Sequence, residues 1–281
     1  MAGSTKELGV TFGQVARPRV SWILPFLNEQ RELPVALARL ESILDLAGVG
    51  EFEVILLDSG SQDGSCGIVR DWMIAQQESR GPSHSKLSWV ETQVTSLPEG
   101  PSLGRALEVL RARGEVSGEW VVILPVDCHL SADAVREFLE WGRSKRSGED
   151  GQSVVGVYFP KEYTPNTRVL SAYAWVQNKV RLRALKLAVW TNAITVHSDA
   201  WEQVPPPRVG FLEDVIWVDQ LLARFGRGAI HVMRSPLLVS SRRYYPARVL
   251  RRIWINGLIM LLFRLRLRTP AQLKLLYRSL G

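Results

Sequence analysis

Apolar residues fall in short runs and helical stripes that alternate along the first half of the chain. Val20-Ser21-Trp22-Ile23-Leu24 reads as a buried strand. After a loop over 25–32, Leu37, Leu40 and Leu44 recur at three and four residues, the spacing of an apolar helix face, with Pro34 in its first turn. A second strand is predicted over Phe52 to Leu57, ending at Asp58, followed by a Ser/Gly/Asp turn and a helix from about Ser65 to Gln77. The stretch Gln76 to Lys86 is polar and loop-like. Leu87 to Val90 then predicts a third strand, Gly104 to Arg113 a helix, and Trp120 to Leu124 a fourth strand running straight into Pro125-Val126-Asp127-Cys128. A helix over Ala132 to Arg143 and a strand over Val154 to Phe159 flank the polar run Ser144 to Ser153, the expected boundary between two halves. Strands alternating with helices predict an α/β fold with a mostly parallel central sheet flanked by helices, whose ligands gather at the carboxyl ends of strands. Asp58 and Asp127 lie just past two such ends.

Residues 240–281 depart from this pattern. They hold nine Arg and one Lys with no Asp or Glu, a charge of +10 within a chain whose total is +7, so the remainder carries −3. The arginines interleave with apolar residues from Val249 to Arg264, a mixture suited to an anionic membrane surface. The uncharged run Ile253 to Phe263 would make about 16 Å of helix, short of a ~30 Å hydrocarbon core. The expectation is an interfacial helix with arginines at headgroup level, against the plainer reading of a core helix with solvated basic ends. Nucleic acid is not the expected partner, because no reader motif accompanies the charge.

With 281 residues, 46% hydrophobic and 22% charged, the chain can bury a full core, which excludes disorder, collagen-like and coiled-coil classes. Cys66 and Cys128 have neither the count of a disulfide framework nor the spacing of a zinc site, which fits a reducing compartment. The first nineteen residues contain no apolar run that could act as a signal-peptide core. The expected location is therefore cytoplasmic, peripheral on the inner face of the cell membrane. No GxGxxG follows the first strand and no GxxxxGK[ST] occurs, so dinucleotide-binding and P-loop readings lack their glycines.

Three acidic positions stand out: Asp58, Asp127 and the Glu213-Asp214 pair before an apolar helix. They suit a sugar-nucleotide site. A base and ribose need fixed hydrogen-bond acceptors, a diphosphate needs a divalent cation on hard carboxylate oxygen, and an acceptor hydroxyl needs a carboxylate base.

The segment Val20 to Glu29, ending Leu24-Pro25-Phe26-Leu27-Asn28-Glu29, resembles the first strand and PxxNE turn of family 2 glycosyltransferases of GT-A fold. Asp58-Ser59-Gly60-Ser61-Gln62-Asp63-Gly64 is similar to their DGGSTDG turn, and Gly104-Arg105-Ala106 to a GRA segment. Within the family the likeness is closest to a bacterial radical-SAM-associated branch: Asp127 takes the place of its lone aspartate in HADT, Phe211-Leu212-Glu213-Asp214-Val215 looks like LMEDV, and Ser240-Ser241-Arg242-Arg243-Tyr244 like TSxRRW. The resemblance covers roughly residues 19–278. It implies Pro25, Glu29 and Asp58 around the uracil and ribose, and Gly60, Arg105 and Arg243 among the nucleotide-sugar contacts. Asp127 would hold a divalent cation (Mn or Mg), Asp214 would be the catalytic base, Glu213 its acidic partner, and Arg242 with Arg243 would steady the diphosphate or the acceptor. The implied reaction is a metal-assisted, inverting single displacement from a UDP-linked sugar to a hydroxyl, the acceptor being lipid-like. The expected domains are an N-terminal extension over 1–18, a GT-A domain over 19–245 with nucleotide-binding (19–143) and acceptor (154–245) halves, and a basic amphipathic helical segment over 246–281.

The motifs also depart from that pattern. Leu107-Glu108-Val109-Leu110 stands where the branch has RQMN, Pro125-Val126-Asp127-Cys128 where it has HADT, and Thr191-Asn192-Ala193-Ile194 where it has GDQG. The triple proline Pro205 to Pro207 stiffens the approach to the acidic pair. These changes keep open an alternative: a catalytically weak or inactive glycosyltransferase-like scaffold at the membrane. Trp190 and Trp201, flanking the altered segment, are candidates for an acceptor pocket, and His129 is a weaker candidate for a metal neighbour.

Overall fold

Both central strands, β1 (Val20–Phe26) and β2 (Phe52–Asp58), are buried along their whole length, as near-continuous apolar runs covered on two faces must be. The computed structural model describes residues 19–46, 52–80, 86–92, 102–144, 153–244 and 249–280. The expected extension over 1–18 and most of the polar boundary run lie outside the described residues. In chain order follow α1 (Leu33–Leu44) between β1 and β2, then α2 (Ser65–Arg80), β3 (Lys86–Glu91), α3 (Leu103–Ala112), β4 (Trp120–Ile123), β5 (Cys128–Leu130) and α4 (Ala132–Ser144). The second half comprises β6 (Gly156–Tyr158), β7 (Lys161–Thr164), α5 (Arg168–Val176) running into a π-helix over Gln177–Ala184, β8 (Thr195–His197), α6 (Ser198–Gln203), α7 (Glu213–Phe225), β9 (Ile230–Val232) and β10 (Leu237–Ser240). Two further helices, α8 (Val249–Arg264) and α9 (Pro270–Leu280), close the chain.

Seven strands form one sheet in the order β3-β2-β1-β4-β8-β6-β9, in which β8 alone runs against its neighbours. The expected mostly parallel α/β architecture is what is observed. A smaller sheet, β5-β10-β7, stands at the carboxyl end of β4. Period-two alternation sends Trp22, Leu24, Val54 and Leu56 into the core on one face and Ile23, Ile55 and Leu57 into the core on the other. Glu53 is the buried exception, and it is satisfied: Ser21 Oγ donates to it at 2.5 Å, and the Ser117 N–H and hydroxyl at 2.9 Å each.

Helix α2 extends through Arg80, one turn past the predicted end. That last turn, Glu78-Ser79-Arg80, is polar, so it leaves no apolar periodicity to read. β5 arises where the sequence predicts no element, because three residues are too few to show alternation.

Helices α8 and α9 form a hairpin. Thr269 and Gln272 make reciprocal side-chain to backbone bonds, a capping box, with Pro270 as the first residue of α9. Ile255, Ile259 and Leu273 pack with Phe211 and Leu212, just before the acidic pair, and Arg264 bonds Asp219 of α7 at 2.6 Å. One side of α8 is thus core, while Leu250, Trp254 and Leu261 remain exposed. Among the described residues no helix is long and apolar enough to cross a membrane.

Candidate active site

The loops after β1 and β2 are laced together by short side chains. Asn28 N–H donates to Ser61 Oγ, Gln62 N–H to Asn28 Oδ1, Glu29 N–H to Ser65 Oγ and Gln30 N–H to Asp63 Oδ2, all within 2.8–3.1 Å. Asn28 takes a left-handed conformation (φ 54°), which asparagine tolerates, and Gly60 (φ 96°) is a glycine by the same requirement. Asp58, 2% exposed, accepts the Ser61 N–H and hydroxyl and the Cys66 thiol. Burial and the Asp58 charge push that thiol up to about 11, so it is an inert donor. Pro25 packs inside β1 opposite Leu57. Pro25, Glu29, Asp58 and Gly60 therefore share the carboxyl edge of β1 and β2.

A second group surrounds a cavity of about 600 Å³ between the smaller sheet, the π-helix, the start of α7 and α8. Asp127, Glu213, Asp214 and Arg243 line it, together with Lys161, Arg181 and Trp190. The remaining wall is largely apolar and aromatic, from Val176 and Val180 beside α5, Tyr163, Tyr173 and Tyr244, and Ile253, Ile259 and Met260 of α8.

Asp214 sits in the first turn of α7 and accepts the Trp190 N–H at 3.1 Å and the Val215 N–H at 2.8 Å. Burial raises its pKa above the ordinary carboxylate value, while the Trp190 N–H, the Arg181 charge and the Val215 N–H pull the other way. Glu213 is likewise raised, chiefly by burial, with the Gly104 and Leu103 backbone N–H groups among the opposing influences. Leu212, immediately before the pair, has φ 59°, a conformation that costs a leucine about 1–2 kcal/mol. Its side chain packs against the buried Ile255, Ile259 and Leu273, which holds it there. Gly104 of the GRA segment is explained by contact: a Cβ there would lie 2.4 Å from the Pro207 carbonyl oxygen.

The turn Ser241–Arg243 joins the two groups. Arg242 bonds Glu29 at 2.7 Å and Glu32 at 3.0 Å, and Arg243 reaches Asp127 at 3.3 Å. Asp127 is 4% exposed, and Cys128 Sγ–H donates to it at 3.6 Å. As a cation holder, Asp127 offers one hard carboxylate, and among the described residues no three His, Cys, Asp or Glu side chains gather into a cluster. That donor set fits a cation that brings phosphate oxygens and water as its other ligands, the habit of Mg²⁺.

Several expected residues lie elsewhere. Trp201 is core, 1% exposed and edge-on to Trp217, because its position on α6 turns it under the sheet, whereas Trp190 does line the cavity. Neither His129, on β5 and lowered by burial and the Arg39 charge, nor Arg105, in the first turn of α3, lines the cavity. Sequence reasoning missed Lys161 and Arg181. Lys161 is 3% exposed and donates to Thr191 Oγ1 at 3.2 Å; burial, then the charge of Arg181, draws its pKa down to about 7. The one signal was a lysine at an inward position of the alternating strand Lys161-Glu162-Tyr163-Thr164.

Compared with known proteins, residues 21–197 match a family model described as glycosyl transferase family 2. The chain belongs to glycosyl transferase family 2. A 52-residue stretch is 42% identical to an undecaprenyl-phosphate 4-deoxy-4-formamido-L-arabinose transferase of Aeromonas hydrophila, covering 18% of this chain and 16% of that enzyme. Among solved structures, a mannosyltransferase from Pyrobaculum calidifontis in complex with GDP-Man and Mn²⁺ superposes with a TM-score of 0.60 at 19% identity, over 90% of this chain and 65% of its own. Glucosyl-3-phosphoglycerate synthase from Mycobacterium tuberculosis, in complex with Mn²⁺, UDP and glucosyl-3-phosphoglycerate, does so with a TM-score of 0.54 at 20% identity, over 93% of this chain and 86% of its own. The family 2 chain thus has the GT-A fold, and it spans less than two thirds of the curated relative and of the mannosyltransferase.

Proposed function

We propose that this family 2 protein is a glycosyltransferase that moves a sugar from a nucleoside-diphosphate sugar, UDP-linked by default, to a lipid-like acceptor at a membrane surface. The observation that carries this is the convergence of Asp127 and Asp214 on one cavity, which the turn Ser241–Arg243 connects to the laced loops of β1 and β2. Asp58 and the loop backbone hold the base and ribose, Asp127 with Arg243 faces the diphosphate, and Asp214 accepts the proton of the attacking hydroxyl in an inverting displacement. A divalent cation held by Asp127 would supply charge neutralisation to the departing diphosphate. Contact between Glu29 and a ribose requires the Arg242 pair to open.

The acceptor reading rests on the apolar lining of the cavity and on the lipid phosphate in the printed name of the Aeromonas relative. Peripheral membrane contact at the inner face rests on α8, whose outward side combines exposed Leu250 and Trp254 with arginines at both helix ends. Membership of the radical-SAM-associated branch rests on the motifs around Asp127, Asp214 and Arg243.

A second reading, a scaffold without turnover, is favoured by one observation: Glu29, Asp58 and Asp127 all have their carboxylates engaged within the protein. Calorimetry of UDP with and without Mn²⁺ on the protein and on Asp127→Ala separates the two. Mn²⁺-dependent binding lost in the variant supports the transferase. Absence of binding to UDP, GDP and dTDP alike would leave the scaffold.

A further inference from the structure

Three basic side chains in the cavity have no part in the roles above: Arg252, which donates to the Tyr277 hydroxyl at 2.8 Å, and Lys161 and Arg181. Lys161, on β7, is almost wholly buried, and among the described residues its ammonium has a single hydrogen bond, to a neutral hydroxyl. Arg181, in the π-helix, lines the same cavity, close enough that its charge is the strongest influence on Lys161 after burial. No ion pair joins either to a carboxylate among the described residues; Asp214 acts on both, and Asp127 on Lys161, only through their fields. With burial and the neighbouring charge of the half-buried Arg181 drawing its pKa to about 7, Lys161 is held charged near neutral pH only where an anion joins it. Asp127 and Arg243, which face the donor diphosphate, are a separate pair. Arg181 is instead coupled to Asp214, where the acceptor must stand, and the helical segment that carries it also presents Val176 and Val180 to the apolar wall.

We propose that Lys161 and Arg181 form an anion subsite beside Asp214 that anchors the phosphate of an acceptor bearing an apolar chain. The inference rests on the glycosyl-transfer reading for the word acceptor, though not for the binding itself. A phosphate monoester, at about −1.5 to −2 near neutral pH, matches a lysine and an arginine lining one cavity better than a carboxylate does. The phosphate is held on the Lys161 and Arg181 side, a hydroxyl of the acceptor is presented to Asp214, which takes its proton, and the apolar chain lies toward Val176, Val180 and α8.

The test is calorimetry on the full chain in detergent with four probes: farnesyl phosphate, farnesol, inorganic phosphate and UDP with Mn²⁺. Farnesyl phosphate is expected to bind at least about tenfold more tightly than farnesol, the order expected for a charge-assisted contact. Lys161→Gln and Arg181→Gln should each remove most of that preference, Lys161→Arg should keep it, and UDP affinity should stay unchanged in all three. Equal binding of farnesol and farnesyl phosphate by the unaltered protein overturns the subsite without recourse to any variant. Inorganic phosphate binding as tightly as farnesyl phosphate overturns the apolar-chain half and points to a soluble phosphate ester. Loss of UDP rather than farnesyl phosphate binding in Lys161→Gln, with an unchanged melting curve, reassigns the two cations to the donor. A phosphate preference that persists while no nucleotide binds leaves the subsite standing and sinks the transferase reading instead.

Discussion

Asp214 is anchored by two backbone N–H groups at a helix start, held in place by a leucine in the left-handed region and raised by burial. In the proposed role of base it must be ionised, so activity should fall as pH drops through a value above the ordinary carboxylate range. Arg181→Gln removes an influence that lowers this pKa, and the acid limb of the kcat/KM profile should move further up. Asp214→Asn should cost about 10²–10⁴ in kcat, the range for general base catalysis, with UDP and Mn²⁺ binding retained in calorimetry. Gly104→Ala, by contrast, should act on folding, because the new methyl meets the Pro207 carbonyl; a loss of about 1–3 kcal/mol, seen as a lower Tm, is expected. At this scale the sequence was legible where chemistry sits in a patterned turn. Asp58 and Asp127 stand at the ends of apolar runs; the structure makes Asp58 the last residue of β2 and puts Asp127 in the turn between β4 and β5. Lys161 and Arg181 were not legible, since a single lysine in a four-residue strand and an arginine in a π-helix follow no spacing rule. Only the fold shows that both are turned inward.

Among the elements, β1, β2 and β4 and the helices between them could be read because continuous apolar runs and a three-four spacing are signals of long, buried segments. Apart from β6, which lies inside the predicted Val154 to Phe159 strand, the strands of the second half are three or four residues long and leave little alternation to read, and their order depends on pairing across the sheet. The capping box Thr269-Pro270-Ala271-Gln272 was a readable start for α9 and divides the basic tail into two helices. Helix α8 has apolar residues nearly all round its middle, of which Ile255 and Ile259 are spent on the core while Leu250, Trp254 and Leu261 face outward. Replacing Leu250 and Trp254 together by Glu should abolish sedimentation with anionic vesicles at unchanged Tm. Retained vesicle binding in that variant would mean that the outward face is no membrane contact.

At the scale of the whole molecule, charge and shape coincide. Part of the segment carrying +10, namely Arg243 and Arg252 with Ile253, Ile259 and Met260 of α8, lines the cavity, and the exposed apolar residues Val176 and Val180 line it too. Vesicle binding should therefore weaken as salt rises from about 0.05 to 0.5 M without vanishing, because screening removes the arginine attraction and leaves the apolar part. Binding that disappears entirely would indicate a purely electrostatic contact. The placement of α8 has one more outcome. A helix that lines the cavity with one side and offers tryptophan to the surroundings with the other cannot be discarded without opening the cavity further. Under the proposed function anchor and vessel are a single part, and a greasy substrate slides from a bilayer into the reaction space without ever being wetted.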